Sequence, residues 1–357
     1  MTHTLPPLVF QPRLVPKIWG GQRLATVLGK GLPPSTLVGE SWEVYDFPPA
    51  AVSTPADARD TTPDGWCSAV VAGPEAVAGR SLHDLLTASE EAVLGPSAPV
   101  ATAAGPQFPL LVKFLDARED LSVQVHPTAD YAARHPGSHL KTECWVILDH
   151  TPNASLYIGL KPGVTRERFA DAIRDGTVVD LIHRIPARVG DCHFLPSGTV
   201  HALGAGVLVA EVQTPSDTTF RVWDFGRLEN GKPRPLHIEQ ALACIDFDAA
   251  GAPPRPTSTR RSNLPLADCP YFRLTSGKYT ARTVQPLTSG MPRIWLVIEG
   301  SVKLQVGETT LSVRKGQTVL LPARLPPGTL ARFPVNTQVL EAVPAATRTH
   351  VQPVSSA

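Results

Sequence analysis

The stretch Asp120-Leu-Ser-Val-Gln-Val-His-Pro127 alternates between polar and apolar residues. In an extended strand this pattern places the apolar side chains on one face and, on the other, Ser122, Gln124 and His126. A solvated strand edge also explains the pattern when the stretch is taken alone. Inside a barrel, however, Gln124 and His126 could both direct donor atoms to the interior, and the rest of the sequence favours a barrel.

Short β-like runs separated by Gly, Pro, Asp and Asn surround this stretch, at residues 39–47, 109–116, 140–148, 155–160, 191–196, 206–213 and 218–225. Helical patterns are fewer, at 82–94, 165–174 and 236–245. Proline occurs 37 times and interrupts both helices and central strands, so the elements must be short. Together these features predict a mainly β chain that folds as an antiparallel sandwich or barrel.

A change in composition divides the chain. Residues 249–265 have no apolar period and are typical of a linker. We therefore expect an N-terminal unit at 1–248, a linker at 249–265, a second β-rich unit at 266–345 and a tail at 346–357. A Gly-x5-Pro spacing occurs in both units, which hints weakly that they are related barrels.

Composition also limits the kinds of partner. The 33 basic and 32 acidic residues predict no broad attraction for nucleic acid or anionic membranes. Five scattered cysteines without a C-x-x-C pair argue against a disulfide framework or a zinc site built from cysteines. No apolar run approaches the roughly 20 residues that span a bilayer, and no signal peptide is apparent. We expect a cytoplasmic protein.

A second alternating stretch is His139-Leu-Lys-Thr-Glu-Cys-Trp145. Strand geometry places Lys141, Glu143 and Trp145 on one face, so that a carboxylate and an ammonium share a surface. An exposed ion pair would explain this arrangement. A polar site inside the barrel would explain it as well.

The segment Gly190-Asp-Cys-His-Phe-Leu-Pro-Ser-Gly-Thr-Val-His201 predicts a strand, a tight turn and a returning strand. The turn needs its proline and glycine but does not need His201. An imidazole that faces the interior of a small barrel requires a hydrogen bond or a metal. His193 is a competing candidate that periodicity alone leaves open.

Four of these side chains would together supply two nitrogens and two oxygens: Gln124, His126, Glu143 and His201. That donor set suits zinc or another first-row divalent ion with one coordination position left open. The later segment Ser216-Asp-Thr-Thr-Phe-Arg-Val-Trp-Asp-Phe225 adds Asp217 and Arg221 on one strand face. Arg221 could bind an anion or stabilise an oxyanion, and an ordinary Asp-Arg pair is an equally good interpretation.

These motifs resemble, in order and spacing, those of the type I mannose-6-phosphate isomerases in their short bacterial form. The similar segments are 19–21, 39–43, 121–127, 141–143, 196–201 and 216–225. The resemblance spans roughly residues 8 to 248, and such separated motifs rarely coincide by chance. It departs from some longer members at Leu203, where they carry a tyrosine, and in the helical domain that they insert.

The resemblance implies a mainly β fold of two cupin-like (jelly-roll) β-barrels with a few short helices, the first barrel being catalytic. It places one zinc ion on Gln124, His126, Glu143 and His201, which makes His193 structural. By the same resemblance three residues lie at the reacting carbons: Lys141, Asp217 and Arg221. Two more lie near the phosphate: Lys113 and Ser122.

The implied activity is metal-dependent aldose–ketose isomerisation of mannose 6-phosphate and fructose 6-phosphate through a cis-enediol. Lys141, or Asp217 through a water, would relay the proton, while Arg221 would assist electrostatically. Alternatives are an isomerase of another sugar, a sugar-phosphate-binding or regulatory cupin, and an iron-dependent cupin dioxygenase. Interior cations such as Lys113 count against the last two, because an anionic ligand must compensate them. We expect a monomer whose partner is a sugar phosphate.

The second unit keeps its Gly-x5-Pro spacing at 316–322, but Ala323-Arg-Leu-Pro-Pro follows where the first unit continues to His201. No histidine occurs between His237 and His350. We therefore predict that the second barrel is metal-free and structural.

Overall fold

The computed structural model describes residues 4–33, 35–47, 66–72, 77–96, 106–229, 231–260 and 264–345. The predicted tail at 346–357 lies outside these residues. In chain order the strands are β1 Leu8–Phe10, β2 Arg13–Gly21, β3 Val38–Val44, β4 Asp46–Phe47, β5 Trp66–Cys67, β6 Val70–Ala72, β7 Leu111–Ala117, β8 Val123–Val125, β9 Glu143–His150, β10 Ser155–Leu160, β11 Ile182–Pro186, β12 Asp191–Leu195, β13 His201–Leu203, β14 Val207–Gln213, β15 Phe220–Trp223, β16 Leu228–Glu229, β17 Lys232–Pro233, β18 Thr257–Ser258, β19 Pro265–Asp268, β20 Phe272–Tyr279, β21 Val284–Pro286, β22 Arg293–Glu299, β23 Ser301–Val306, β24 Thr309–Arg314, β25 Thr318–Leu321, β26 Leu330–Arg332 and β27 Thr337–Pro344.

The helices are short, as the proline content predicts: α1 Arg23–Thr26, α2 Leu82–Ala88, α3 Glu90–Leu94, α4 Ala129–Arg134, α5 Arg166–Arg174, α6 Ile238–Cys244 and a 3₁₀ turn at Val178–Leu181. Thr165 caps α5, because its side chain accepts the Arg168 amide. The single helix predicted at 82–94 is instead two helices, interrupted at Ser89, whose backbone is not helical. Within the described residues, no helix has the length and apolar character needed to cross a bilayer.

The first unit is a pair of facing sheets. One sheet has the strand order β18-β12-β9-β14-β7-β3-β2 and the other has the order β11-β10-β13-β8-β15, with antiparallel pairing throughout. The second unit repeats this plan with the orders β19-β20-β27-β22-β25-β1-β6 and β21-β26-β23-β24. The predicted mainly β fold of two cupin-like barrels with a few short helices is confirmed.

The central strands of the first unit's larger sheet are buried on both faces. Val112, Phe114 and Val146 belong to one apolar cluster with residues of the second unit, among them Phe272 and Leu296. The alternate side chains of the same strands point the other way, toward the facing sheet of the first unit. The second unit therefore supports the back of the sheet whose front carries polar residues.

Both large sheets contain strands that come from outside the predicted bounds of their own unit. Strands β1 and β6, from the N-terminal segment, extend the sheet of the second unit because β1 pairs with β25. The predicted linker at 249–265 contains β18, which pairs with β12 and forms the edge of that sheet. An edge strand that buries neither face needs no apolar period, which is why the composition of this segment resembles that of a linker. The division into domains stays a prediction.

A hydrogen bond between a tryptophan and a glutamate occurs in the same form in each of the two units. In the first, the Trp145 indole Nε1 donates to Glu211 Oε2 at 2.7 Å, and the two residues are cross-strand partners on β9 and β14. In the second, Trp295 Nε1 donates to Glu341 Oε2 at 2.6 Å, across β22 and β27. This correspondence agrees with the repeated Gly-x5-Pro spacing.

Candidate metal centre and substrate cleft

The candidate centre lies between the two sheets of the first unit. On one sheet, register aligns His201 with Gln124 and Gln124 with Arg221 across β13, β8 and β15. Paired residues of antiparallel strands project to the same face, so these three side chains point inward together. The other sheet contributes Glu143, the first residue of β9, and His126 directly follows β8.

The Glu143 carboxylate lies between the two imidazoles. His201 Nε2 is 3.3 Å from Glu143 Oε1, and His126 Nε2 is 3.6 Å from Glu143 Oε2. One donor atom from each residue lies within 4.8 Å of the others, and all three residues are buried. Three separate stretches of the sequence therefore converge on one point.

Backbone carbonyls orient both histidines. His126 Nδ1 lies 3.0 Å from Thr218 O, and His201 Nδ1 lies 2.9 Å from Thr199 O. Because a carbonyl can only accept a hydrogen bond, each Nδ1 carries the proton and each Nε2 presents its lone pair to the centre. The side-chain nitrogen of Gln124 lies 3.3 Å from His201 Nε2. Rotating the amide group by half a turn exchanges its nitrogen and oxygen, so that the oxygen faces the centre.

Burial and charge give these groups the ionisation states of metal ligands. Burial, assisted by the charge of Lys141, lowers the pKa of His126 to about 3, and burial also lowers the pKa of His201. Burial alone would raise the pKa of Glu143, but the charge of Lys141 beside it outweighs burial and holds the pKa well below its ordinary range. Two neutral imidazoles therefore face a carboxylate, as metal binding requires.

The donor atoms fit a divalent cation. Among the described residues, no hydrogen bond reaches the buried His126 Nε2 or either Glu143 oxygen, although Lys141 Nζ lies 3.1 Å from Oε2. Buried polar atoms normally have partners, and a cation among them would satisfy all three. Two imidazole nitrogens and a carboxylate, with an amide oxygen within reach, form a donor set suited to zinc.

A cleft opens beside this cluster and is lined by Trp19, Glu40, Lys113, Leu115, Leu121, Ser122, Gln124, Lys141, Trp145, Glu211, Thr219 and Arg234. Lys113 Nζ lies 3.3 Å from Glu40 Oε2 and 3.5 Å from Glu211 Oε1. Burial, together with the charge of Glu143, raises the pKa of Glu211. The predicted anion-binding residue Lys113 thus already faces two carboxyl groups.

Arg234 is a cleft residue that sequence reasoning missed. Its guanidinium donates to both oxygens of Asp224, from Nε at 2.8 Å and from Nη2 at 2.7 Å. Asp224 also pairs with Arg227, so two guanidinium groups share this one carboxylate. Arg234 follows the short hairpin of β16 and β17 between two prolines, where no periodicity reveals its direction.

The two remaining predicted catalytic residues occupy different surroundings. Arg221 Nη1 donates to Pro235 O at 3.0 Å, and the Arg221 amide donates to His237 Nδ1 at 3.2 Å. Asp217 is buried in the connection from β14 to β15, where its charge acts on His139. The described residues that line the cleft include neither Asp217 nor Arg221. The carbonyl of Thr218, the residue after Asp217, accepts the hydrogen bond from His126 Nδ1. The connection from β14 to β15 therefore helps to orient a residue of the centre.

His193 lies on β12 opposite Trp145 and is buried. Burial lowers its pKa. It is not part of the group formed by His126, Glu143 and His201.

Comparisons with known proteins agree with this architecture. The sequence model of the phosphomannose isomerase type I catalytic domain matches residues 9–143. A probable mannose-6-phosphate isomerase from Bacillus subtilis is 35% identical and aligns over 90% of this chain and 94% of its own length. The crystal structure of the mannose 6-phosphate isomerase from Bacillus subtilis has a TM-score of 0.77 at 30% identity, covering 94% of this chain and 99% of that one.

A zinc-bound mannose 6-phosphate isomerase shares the fold, with a TM-score of 0.68 at 15% identity, and the alignment covers 96% of this chain and all of that one. The relative from Bacillus subtilis is aligned across both barrels, well beyond the N-terminal match of the catalytic-domain model. On that evidence the chain belongs to the mannose-6-phosphate isomerase family.

Proposed function

We propose that this protein interconverts mannose 6-phosphate and fructose 6-phosphate. Family membership supports the substrate pair. The observation that carries the chemistry is the buried cluster of Glu143, His126 and His201, which adjoins a cleft whose lining includes Lys113, Lys141 and Arg234. A buried donor set beside a cationic cleft suits a phosphorylated sugar whose carbonyl is to be polarised.

One divalent ion, which we assign as zinc, is held by Gln124, His126, Glu143 and His201. The neutral imidazoles, the ionised carboxylate and the hydrogen-bonded Nδ1 atoms support this assignment. When bound, zinc supplies Lewis-acid polarisation of the sugar carbonyl. The zinc of the structural relative is consistent with the choice of metal.

The chain's own residues move the proton and balance the charge. Isomerisation removes the C2 proton of the aldose, passes through a cis-enediolate and returns a proton to C1. Lys141 lines the cleft and is held beside Glu143, which favours it as the relay over Asp217 acting through a water. Arg221, aligned with Gln124 across the strands, offsets the charge of the developing oxyanion.

The phosphate is bound at the cationic part of the cleft. Lys113 and Ser122 line it, and we add Arg234, which lines the same cleft while its guanidinium is bound to Asp224. A guanidinium held in place by a carboxylate is well suited to charge-assisted hydrogen bonds with phosphate. We further predict that the protein acts as a monomer in the cytoplasm. We also predict that it has no nucleic-acid or membrane partner.

A coupled assay tests this function by following fructose 6-phosphate formed from mannose 6-phosphate. We expect turnover that a chelator abolishes and added zinc restores. Failure of the metal-loaded, folded protein to convert mannose 6-phosphate would contradict the proposal. Turnover that a chelator leaves unchanged would contradict the role of the metal.

A further inference from the structure

A second group of metal-binding side chains lies where β4, β5 and α2 meet. Asp46 and Cys67 are cross-strand partners on β4 and β5, so their side chains project to the same face. His83 is the second residue of α2. None of the three contributes to the cleft described above.

The donor atoms of this group are close together. Cys67 Sγ is 3.1 Å from Asp46 Oδ1, and His83 Nδ1 is 3.3 Å from the same oxygen. All three donor atoms lie within 4.8 Å of one another. Among the described residues, no hydrogen bond reaches the buried His83 Nδ1, although this atom lies 3.3 Å from Asp46 Oδ1.

Outer contacts hold the carboxylate in a ligating orientation. The Phe108 amide donates to Asp46 Oδ2 at 2.9 Å, which leaves Oδ1 directed toward Cys67 and His83. The Gln107 side-chain amide donates to the Asp46 carbonyl at 2.8 Å. The Asp46 side chain is fully buried. A hydrogen bond to the second carboxylate oxygen, like that from the Phe108 amide, is typical of carboxylates that bind metals.

We propose that Asp46, Cys67 and His83 form a second site for a divalent cation of the zinc type. A thiolate, an imidazole nitrogen and a carboxylate oxygen supply three positions of a tetrahedral site, and water fills the fourth. On binding, Cys67 releases its thiol proton to solvent and forms the metal–sulfur bond. This site is independent of the proposed isomerase function, and its single cysteine is compatible with the lack of a C-x-x-C pair.

The surroundings suggest a structural role for this ion. Leu82, Leu85 and Leu86 of α2 pack into the apolar cluster shared by the two units. A metal that joins α2 to β4 and β5 would fix the helix on this core. Without metal, burial and the Asp46 carboxylate raise the pKa of the Cys67 thiol, which then donates its proton to Asp46.

Cobalt substitution tests the proposal without measuring activity. A cobalt–thiolate bond gives a near-ultraviolet charge-transfer band, and the site of Gln124, His126, Glu143 and His201 contains no sulfur. We expect the band in the cobalt-loaded wild-type protein and in His126→Ala. We expect Cys67→Ser to lack it, whereas Cys269→Ser, which changes another half-buried cysteine, should retain it.

Zinc content provides the second measurement. Folded wild-type protein should bind about two equivalents, and both Cys67→Ser and His83→Asn should bind one. His83 is partly exposed, so His83→Asn should fold, and circular dichroism verifies this. The absence of a cobalt–thiolate band in the wild-type protein, or its survival in Cys67→Ser, would show that these residues form only a hydrogen-bonded cluster. Loss of turnover in His126→Ala with the band intact would separate this site from the isomerase centre.

Discussion

His201 Nε2 lies 3.3 Å from Glu143 Oε1, although the two residues belong to different sheets. The centre therefore exists only when the sheets pack face to face, and a metal bound there holds them together. Ligand binding to the native state alone raises its stability. Removal of the metal should accordingly lower both activity and the melting temperature.

The first prediction concerns the histidine ligands. His126→Ala and His201→Ala should each bind about one metal equivalent fewer than the wild-type protein, because each loses an imidazole donor. Elemental analysis of the purified variants checks this. His193→Ala, which removes a buried histidine outside the group, should retain the full metal content. Full occupancy in both ligand variants would overturn the assignment.

The second prediction compares two arginines that share one carboxylate. Arg234→Gln should raise KM for mannose 6-phosphate roughly 10- to 100-fold, the range expected for loss of a charged hydrogen bond. Arg227→Gln also removes an ion pair with Asp224, but Arg227 does not line the cleft. It should lower the melting temperature and leave KM nearly unchanged. Equal effects of the two variants on KM would exclude Arg234 from phosphate binding.

The third prediction concerns Lys113 and Ser122, the two residues that the family resemblance places near the phosphate. Lys113→Ala and Ser122→Ala should raise KM for the phosphorylated sugar and leave the metal content intact, since neither is a ligand. Steady-state kinetics and elemental analysis on the same samples check both points. If unphosphorylated mannose proves as good a substrate as its 6-phosphate, the cationic part of the cleft does not bind phosphate.

The fourth prediction separates catalysis from structure at Arg221. If its charge stabilises the transition state, Arg221→Ala should lower kcat by roughly 100-fold or more with little change in substrate binding. Arg221 also donates a hydrogen bond to the Pro235 carbonyl, so its role could instead be to hold that loop in place. A lower melting temperature with near-normal turnover would assign Arg221 to holding that loop and remove it from the catalytic residues.

The fifth prediction concerns pH. Burial favours the neutral form of Asp224, but Arg234 and Arg227 outweigh it and lower the pKa of this carboxyl. A depressed folded pKa adds stability above the unfolded value of about 3.9, and this stability is lost as the pH falls through the folded pKa. The melting temperature of wild type minus that of Asp224→Asn should therefore be largest near neutral pH and shrink below about pH 4. A difference that stays constant as the pH falls would show that the two arginines do not stabilise the Asp224 carboxylate.

Strand alternation assigns Gln124 and Glu143 to the polar faces of two strands, and the turn before His201 places that histidine at the start of a returning strand. Taken alone, this pattern also fits a solvated edge and an exposed ion pair, and it is the packing of the two sheets that brings the three residues together. The alternation fails at Leu121, which lines the cleft instead of joining Val123 in the core beneath β8. Its amide bonds to Leu203 O, and regular strand structure begins only at Val123.

Other features depend on contacts that a local pattern does not encode. Arg234 reaches the cleft through a proline-flanked segment, and Glu211 faces it only because β14 lies between β7 and β9. The apolar stretch Leu8–Phe10 is too short to reveal that its partner is β25. Burial of a strand on both faces removes the alternation that would distinguish its sides.

The pairing of β1 with β25 also constrains the order of events during synthesis. Leu8–Phe10 leave the ribosome about 300 residues before Thr318–Leu321 do. At the usual rate of translation that interval lasts roughly 15 to 60 s. Throughout it, an apolar strand has no native neighbour on one side, and such an edge invites wrong pairing. Correct folding therefore requires that β1 stays clear of wrong partners until β25 has been synthesised. The sheet of the second unit can be completed only after that point.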